Sequence, residues 1–365
     1  MRLRRITAFA AVAGLATAGL AACGTPDSGG DEQSPSGGGS GATSDVKACL
    51  VASMGGLEDR SFNQSANEGL MRAASELGVQ TAVVAPQADA DFTPAINNMV
   101  SQGCHLIIGV GFDQATQISE VAAGNPDVDF ALVDSTFSEE LPNAKPLLFD
   151  TAQASFLAGY LAAGMSTTGS VATFLGGKIP PTMVFADGFV QGAEYYNEEN
   201  GTSVQVLGWD VAAQDGVAIG NFQDVSRGQQ FANQLIEQGA DVILPVAGAA
   251  GTGALAAARA SNGVSIIWVD SDGYYTEPDF SDLIMTSVLK QVGNAVYDTI
   301  EEYKNGEFTA EAYVGVLEND GVALAPYHDY EDVIPTELQE GVDSVRERII
   351  NGEVSITSPS SPSVG

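Results

Sequence analysis

Basic residues and histidines are scarce in this 365-residue chain. It has 14 lysines and arginines against 47 aspartates and glutamates, and its two histidines are His105 and His328. A strongly acidic protein repels phosphate backbones, which argues against nucleic acid as a partner. Neither histidine lies in a G-x-S-x-G or H-E-x-x-H pattern. The sequence therefore predicts a protein that is not an enzyme and that takes no cofactor.

The chain also lacks the motifs of common phosphate and metal sites. The stretch "GAAGTG", residues 248–253, is glycine-rich and precedes a helical pattern, which is one way to hold a phosphate. It has neither the Lys-Ser/Thr pair of a P-loop nor the G-x-G-x-x-G spacing. Asp270 and Asp272 could act as turn and cap residues or bind a metal ion, but no third ligand is near them in sequence. No metal site is predicted.

One apolar run stands out, and it lies at the N-terminus. Uncharged residues 6–22 follow three arginines and lead into "LAAC", residues 20–23. A basic start, a short apolar run and small residues before a cleavage site are typical of a secretory signal peptide. The run is shorter than the roughly 20 apolar residues of a membrane-spanning helix. "LAAC" is the bacterial lipobox, which predicts cleavage after residue 22, lipid on Cys23, and anchoring to the extracytoplasmic face of the cell membrane.

The segment after the lipobox predicts a flexible tether over residues 23–45. It is rich in Gly, Ser and Pro and nearly devoid of large apolar side chains, so it cannot bury enough surface to fold. Removal of the signal peptide leaves 11 basic residues against 47 acidic ones, a formal charge of −36. About 310 residues remain, enough for two lobes of roughly 150 each. The Ser/Pro-rich end, residues 356–365, is predicted to be disordered.

Short apolar runs alternate with helical patterns from residue 46 onward, and the alternation occurs twice. Such runs, bounded by turns and separated by helices, are typical of parallel strands covered on both faces. The sequence predicts an α/β protein of two lobes, each a doubly wound parallel sheet, with a ligand cleft beyond the carboxyl ends of the strands. The predicted strands are 47–53, 79–85, 105–110, 129–134, 145–150, 170–176, 203–209, 240–247, 264–270 and 283–290. The predicted lobes are 46–150 plus 285–308, and 151–284 plus 309–355.

Glycine, Asp, Asn and aromatic residues concentrate in the loops that follow these strands. In the first such loop, "SMGGLEDRSFN", Phe62 and Asn63 lie at the start of a helix. Phe62 could be a hydrophobic staple and Asn63 a helix cap. Alternatively, both could contact a ligand. Asp270, at a strand end in "VDSDGYY", is suited to accept hydrogen bonds from a sugar diol.

Several segments, in this order and spacing, carry a resemblance to a known family. The chain resembles the basic membrane protein family of substrate-binding lipoproteins across about residues 46–350, and most of all its PnrA-like branch, which binds purine nucleosides for ABC importers. The resemblance implies a type I periplasmic-binding-protein fold. The segments are "GGLEDRSFNQSANEG", "GVGFDQATQISEVAAGNPDVDFALVDS", "QASFLAGYLAAG", "FLGGKIPPTMVFADGFVQGAEYY", "GADVILPVAGAAGTGALAAA", "VDSD" and "MTSVLKQVGNAVYDTI".

The resemblance also implies a role for individual residues. Phe62 would stack on a purine base, Asn63 would bond its edge, and Phe185 would close an aromatic sandwich from the other lobe. Asp270 would hold the ribose hydroxyls with help from Lys290. The family pattern further places three residues in the ligand site: Asp59, Asp113 and Gly248.

One departure from the family affects base preference. Relatives commonly have an Asp two residues before the paired glycines, as a base contact, where this chain has Ser53. A carboxylate accepts two N–H bonds, whereas a hydroxyl donates one and accepts weakly. The stretch 210–228 also looks longer than the corresponding loop of relatives, and its role is not evident from the sequence.

The implied partners are a nucleoside and the permease subunits of an ABC importer, with the protein itself a monomer. Three alternatives remain open from the sequence. A protein of the same fold could bind a simple sugar, although basic residues are scarce in these loops. A membrane-anchored nucleoside hydrolase has only the Asp-x-Asp of "VDSD" in its favour. A sensory receptor with the same two lobes would report on a ligand instead of delivering it.

Two cysteines remain after lipidation, Cys49 and Cys104. Both lie at the start of apolar runs that predict the first and third strands, which are neighbours in a sheet of order 2-1-3. Neighbouring strands are about 4.8 Å apart, near the lower end of the Cα separation that a disulfide spans. An exported protein can oxidise such a pair. A disulfide at the foot of the first lobe is predicted, with two buried free thiols as the alternative.

Overall fold

The computed structural model describes residues 45–362. The signal peptide, Cys23 and nearly all of the tether lie outside the described residues. The strands are β1 (Lys47–Val51), β2 (Gln80–Val84), β3 (Leu106–Val110), β4 (Asp129–Val133), β5 (Ala144–Phe149), β6 (Ser170–Leu175), β7 (Gln205–Leu207), β8 (Trp209–Asp210), β9 (Asp215–Gly216), β10 (Val242–Val246), β11 (Ser265–Asp270), β12 (Ile284–Lys290), β13 (Tyr313–Gly315) and β14 (Val322–Leu324). The α-helices are α1 (Phe62–Leu77), α2 (Phe92–Ser101), α3 (Ala115–Gly124), α4 (Thr151–Met165), α5 (Pro180–Asn200), α6 (Val225–Glu237), α7 (Thr252–Ala260), α8 (Gly273–Thr276), α9 (Val292–Asn305) and α10 (Thr336–Ile350).

Two six-stranded sheets form the framework, and they confirm the predicted fold class. The first sheet has the order β13-β5-β4-β3-β1-β2 and is parallel throughout. The second has the order β14-β12-β11-β10-β6-β7, and only β14 runs antiparallel in it. The expected 2-1-3 order is therefore present as β2-β1-β3. The carboxyl ends of the parallel strands meet along one edge of each sheet, where such sheets bind ligands.

Helices cover both faces of each sheet because alternate strand residues point to opposite faces. In β1, Ala48 and Leu50 belong to a core that includes α1 and α9, whereas Cys49 and Val51 belong to a separate core with α2 and α3. The second sheet is covered in the same way, by α4, α5 and α10 on one face and by α6 and α7 on the other. Burial on both faces explains why the strands read as continuous apolar runs.

Helix α4 is buried along most of its length against α5. A Cβ atom on Gly159 would lie 2.0 Å from the carbonyl oxygen of Phe189, so the two backbones touch where only glycine fits. This contact fixes α5, whose first turn reaches the ligand cavity described below. Among residues 45–362, no helix combines the length and the hydropathy needed to cross a membrane.

The predicted lobe boundaries are wrong in two places. Residues 285–290 were expected in the first lobe, but β12 pairs with β11 in the second sheet. Residues 313–315 were expected in the second lobe, but β13 pairs with β5 in the first sheet. An apolar run predicts a strand, but it does not show which sheet edge the strand will join. The chain instead passes between the sheets again after β12, through α9, and once more between β13 and β14.

The predicted disorder of the C-terminal tail is also wrong for the residues that the structure describes. Residues 357–361 make hydrogen bonds to three side chains: Asp187 and Gln191 of α5, and Asp150, which directly precedes α4. The bonds are Gln191 Nε2 to Thr357 O (2.8 Å), Thr357 N to Gln191 Oε1 (3.0 Å), Ser358 Oγ to Asp187 Oδ2 (2.5 Å) and Ser361 Oγ to Asp150 Oδ1 (2.8 Å).

Cys49 and Cys104 are joined by a disulfide, with their Cα atoms 6.0 Å apart. The backbone of Cys49 pairs with Ile107, and Cys104 reaches Cys49 from the turn before β3. The bond lies in the core between the first sheet and α2 and α3. A link across 55 residues of chain lowers the conformational entropy of the unfolded state, which raises the free energy of unfolding by roughly 4 kcal/mol.

Candidate ligand-binding site

A cavity of about 410 Å³ lies at the carboxyl ends of the two sheets. Its walls are the loops after β1, β2, β3 and β4 of the first sheet and those after β10 and β11 of the second. The start of α5, the end of β12 and residues 220–223 complete it. This volume falls in the range of small-molecule sites, about 300–1,000 Å³. The structure brings every predicted ligand residue to this cavity: Ser53, Asp59, Phe62, Asn63, Asp113, Phe185, Gly248, Asp270 and Lys290.

Asp59 holds the loop that precedes α1. Its carboxylate accepts the backbone N–H groups of Ser61, Asn63 and Gln64 at 2.8–3.1 Å, which are the donors that a helix start leaves unpaired. Burial raises the pKa of Asp59, and these backbone N–H groups counter the increase. Because both of its oxygens are engaged, Asp59 shapes the loop and offers little free carboxylate to a ligand.

Phe62 and Asn63 face the cavity from the first turn of α1. The Phe62 ring is half-buried, and the Nζ atom of Lys290 lies 5.4 Å from its centroid. Asn63 Oδ1 accepts the backbone N–H of Ser53 at 2.8 Å, which orients the amide. Its Nδ2 group has no acceptor among residues 45–362. Asn63 therefore does not cap the helix, since Asp59 already does so.

Ser53 and Asp113 form one polar wall. The Ser53 hydroxyl donates to Asp113 Oδ2 at 2.9 Å, and the backbone N–H of Met54 donates to the same oxygen at 2.9 Å. The other oxygen, Oδ1, is buried without a hydrogen-bond partner among the described residues. Burial raises the pKa of Asp113, and the two donors counter the increase. An Asp at position 53 would place a second carboxylate against this one, so Ser53 and Asp113 suit each other.

Two aspartates end equivalent strands, one in each sheet. Asp134 follows β4 with φ +60°, and Asp270 ends β11 with φ +65°, a left-handed backbone that Asp tolerates better than most residues. Asp270 Oδ2 accepts the hydroxyl of Ser61 at 2.5 Å. The tripeptide Val-Asp-Ser occurs at both strand ends, and this repetition is the sequence signal that marks Asp134 as the counterpart of Asp270.

Lys290 lies between these two carboxylates at the floor of the cavity. Its Nζ is 2.6 Å from Asp134 Oδ2 and 3.8 Å from Asp270 Oδ1, and its side chain is 3% exposed. Burial raises the pKa of Asp134, and the Lys290 ammonium counters this increase. Since β12 belongs to the second sheet and Asp134 to the first, this ion pair joins the two lobes.

Further polar contacts join the lobes beside the cavity. Arg60 Nη1 lies 2.8 Å from Glu277 Oε2, and the Glu277 side chain is 1% exposed. Burial raises the pKa of Glu277, and Arg60 opposes this. The hydroxyl of Ser271 also donates to the carbonyl oxygen of Ser61 at 3.3 Å. Loops from both sheets are thus bonded to each other around the ligand space.

Phe185 lines the cavity, but it is a core residue. Its side chain is 1% exposed and belongs to the core between α4 and α5. The Nζ atom of Lys290 lies 5.0 Å from its ring centroid and 5.4 Å from that of Phe62, so it is burial, and not the cation, that distinguishes Phe185 from Phe62. This environment differs from that of a ring that is free to stack on a ligand.

Phe222 is an aromatic residue of the cavity that the sequence analysis did not identify. It lies in the 210–228 stretch, is half-buried, and packs against Gly176 and Gly177, whose missing side chains make room for the ring. Its carbonyl oxygen accepts the N–H of Ala250 at 2.9 Å, which ties the segment to the loop after β10. The neighbouring Gln223 reaches Gly55 of the first lobe, since a Cβ there would lie 3.7 Å from Gln223 Nε2.

Comparisons with known proteins agree with this architecture. The sequence model of the family described as "ABC transporter substrate-binding protein PnrA-like" matches residues 46–360. A protein named ABC transporter nucleoside-binding protein BmpA, from Lactococcus lactis subsp. cremoris, is 29% identical over 374 residues, covering 97% of this chain and 99% of that protein. An uncharacterized lipoprotein of Pyrococcus horikoshii is 32% identical, covering 84% of this chain and 78% of that protein.

Solved structures show the same likeness. The crystal structure of an ABC transporter solute-binding protein from Aeropyrum pernix K1 superimposes with a TM-score of 0.78 at 27% identity, covering 86% of this chain and 94% of that one. The family match spans nearly all of the described residues and both sheets. The chain therefore belongs to the PnrA-like family of ABC transporter substrate-binding proteins.

Proposed function

We propose that this ABC transporter substrate-binding protein carries purine nucleosides to its permease. The observation that supports the proposal is the set of groups that line a single cavity: the aromatic rings of Phe62 and Phe222, an amide and a carboxylate, and the Asp270–Lys290 pair. A nucleoside asks for the same set, because it joins a flat heterocycle with polar edges to a diol-bearing sugar.

The base would stack between Phe62 of the first lobe and Phe222 of the second. Both rings are half-buried and face the cavity, whereas the side chain of Phe185 is buried in the core. Each ring on a flat heterocycle contributes about 0.5–1.5 kcal/mol beyond area burial. The free Nδ2 of Asn63 and the unpartnered Oδ1 of Asp113 would then bond the edge of the base.

The ribose would lie at the cavity floor. Asp270 has one oxygen bonded to Ser61, and its carboxylate can accept further hydroxyl protons, while Lys290 can donate to a sugar oxygen. The only cation lining the cavity among the described residues is Lys290, against five lining aspartates, Asp59, Asp89, Asp113, Asp134 and Asp270. This charge balance favours an uncharged nucleoside over a nucleotide.

The first test is a calorimetric screen of the unlipidated domain against nucleosides, bases, sugars and nucleotides. Purine ribosides are expected to bind. Free bases, 2′,3′-dideoxynucleosides and 5′-monophosphates are expected to bind at least about tenfold more weakly, a loss of about 1.4 kcal/mol. Equal affinity for ribosides and dideoxynucleosides would contradict the role of Asp270. Tight binding of a free pentose or hexose alone would favour the sugar-binding alternative.

The two aromatic candidates are separated by matched alanine substitutions. Phe222→Ala should weaken nucleoside binding by about 1–3 kcal/mol and leave the melting temperature of the ligand-free protein nearly unchanged, because the ring contacts ligand and glycines. Phe185→Ala should lower the free energy of unfolding by about 3–5 kcal/mol, because it empties a core position. Calorimetry and thermal unfolding measure the two effects. A stable Phe185→Ala protein with lost binding, beside an unaffected Phe222→Ala protein, would restore Phe185 as the stacking residue.

Asp113 predicts a pH dependence of binding. Its carboxylate accepts a base N–H more strongly when ionised, and burial holds its pKa above that of an ordinary Asp. Affinity should therefore be full near neutral pH and fall as the pH drops through this raised pKa, earlier than an exposed Asp would titrate. Asp113→Asn should bind at least about tenfold more weakly at pH 7 and lose this part of the pH dependence.

The control for the Asp113 titration is Asp127→Asn, which removes an exposed carboxylate remote from the cavity lining. It should keep the affinity and the pH profile of the wild type. A wild-type affinity that does not change between pH 7.5 and 4.5, or an Asp113→Asn protein with an unchanged profile, would show that the base does not contact this carboxylate.

We also propose that lipid on Cys23 anchors the protein to the outer side of the cell membrane, on the basis of the "LAAC" motif. Relatives such as the Pyrococcus horikoshii protein carry lipoprotein in their names. In detergent phase partition of cell extracts, the wild type should enter the detergent phase and Cys23→Ala the aqueous phase. Cys49→Ala, which removes a cysteine inside the domain, should still enter the detergent phase; equal partition of the wild type and Cys23→Ala would contradict the anchor.

A further inference from the structure

A second cavity, of about 180 Å³, adjoins the first. The two share three lining residues, Phe112, Asp134 and Pro181, which form the partition between them. A water molecule takes up about 30 Å³ of liquid, so the space has room for a group of several heavy atoms. None of the residues assigned above to the base or the ribose lines this second cavity.

The C-terminal tail forms part of its outer wall. Ser360 and Pro362 line the cavity, opposite Ser135 and Phe149 of the first lobe. Hydrogen bonds hold this part of the tail in place: the hydroxyl of Ser361 donates to Asp150, and the N–H of Ser360 donates to the hydroxyl of Ser358. The tail is therefore an ordered part of this wall, although its sequence predicted disorder.

The second cavity lies on the sugar side of the proposed nucleoside. Asp134 lines both cavities, and its Oδ2 atom is 2.6 Å from Nζ of Lys290, which lies beside Asp270. If Asp270 holds the 2′ and 3′ hydroxyls and the base occupies C1′, the remaining substituent of the ribose is the 5′ group. The 5′ group is therefore the part of the ligand that can extend past Asp134.

We propose that the second cavity is a subsite for a small uncharged substituent on the 5′ carbon of the nucleoside. The inference rests on the proposed nucleoside function and adds a ligand class to it. The lining combines apolar surface from Phe149, Pro181 and Pro362 with hydroxyls from Ser135 and Ser360, which suits a thioether or a short ether.

A phosphate does not suit this subsite. The carboxylate of Asp134 lines it, and Lys290, the cation paired with Asp134, is already shared with Asp270. A phosphate would meet this carboxylate in a partly dry space with no unpaired cation among the lining residues, which is unfavourable. The subsite therefore separates 5′-modified nucleosides from 5′-nucleotides.

The test compares parent and 5′-substituted ligands on variants of the tail. Calorimetry would measure adenosine and guanosine, each beside its 5′-deoxy-5′-methylthio derivative and its 5′-monophosphate. The variants are Ser360→Phe, which puts a large ring into the wall of the second cavity, and Ser355→Phe, which adds the same ring at an exposed tail position outside it. Melting temperatures would check that both variants fold.

In the wild type, the methylthio derivative should bind within about threefold of its parent, and the monophosphate at least about tenfold more weakly. Ser360→Phe should weaken binding of the methylthio derivative at least about tenfold and binding of the parent less than about threefold, because the ring fills only the second cavity. Ser355→Phe should change neither. Rejection of the methylthio derivative by the wild type, or equal losses for parent and derivative in Ser360→Phe, would overturn the subsite while leaving the nucleoside function intact. Failure of both parent nucleosides to bind would overturn the two together.

Discussion

The buried ammonium of Lys290 joins the two carboxylates at the floor of the main cavity, one from each lobe. It lies near carboxylates of both lobes, 2.6 Å from Asp134 and 3.8 Å from Asp270. The centroids of three phenylalanine rings lie 5.0–6.0 Å from it. Removing one member of such a buried pair costs about 3–5 kcal/mol, because it leaves the other charge without a partner. The floor of the cavity and the proposed sugar contacts both depend on where this side chain lies.

The position of Lys290 follows from the path of the chain between the sheets. β12 is in the second sheet, and the chain leaves it at Lys290 to form α9, which packs on α1 of the first lobe. The lysine thus lies where one lobe gives way to the other. Arg60 and Glu277, with Ser61 and Asp270, add bonds between the lobes at the loops. The proposed ligand contacts and the contacts between the lobes therefore share residues, so that ligand binding and closure of the lobes would be coupled.

The acidic character of the chain and the chemistry of the site are consistent with each other. Five aspartates and one lysine line the main cavity, and the carboxylates are kept in place by specific donors: backbone N–H groups at Asp59, a hydroxyl and an N–H at Asp113, and the ammonium at Asp134. Each is a hydrogen-bond acceptor presented toward N–H and O–H groups. Such a lining suits the neutral, donor-rich ligand proposed above better than it suits a phosphate.

The amino-acid sequence by itself determined the elements and the fold class. Apolar runs of strand length, separated by helical patterns, located every strand from β1 to β6 and β10 to β12 to within about two residues, because a doubly covered strand must be apolar on both faces. The loops at the carboxyl ends identified Phe62, Asn63, Asp113, Asp270 and Lys290, and the cavity contains all of them.

The tertiary structure decided what local patterns cannot encode. It assigned β12 and β13 to their sheets through main-chain pairing, buried Phe185 in the core, brought Phe222 to the cavity, and paired Asp134 with a lysine 156 residues away. These outcomes depend on which distant groups are within reach, and that is fixed only when the two lobes are packed.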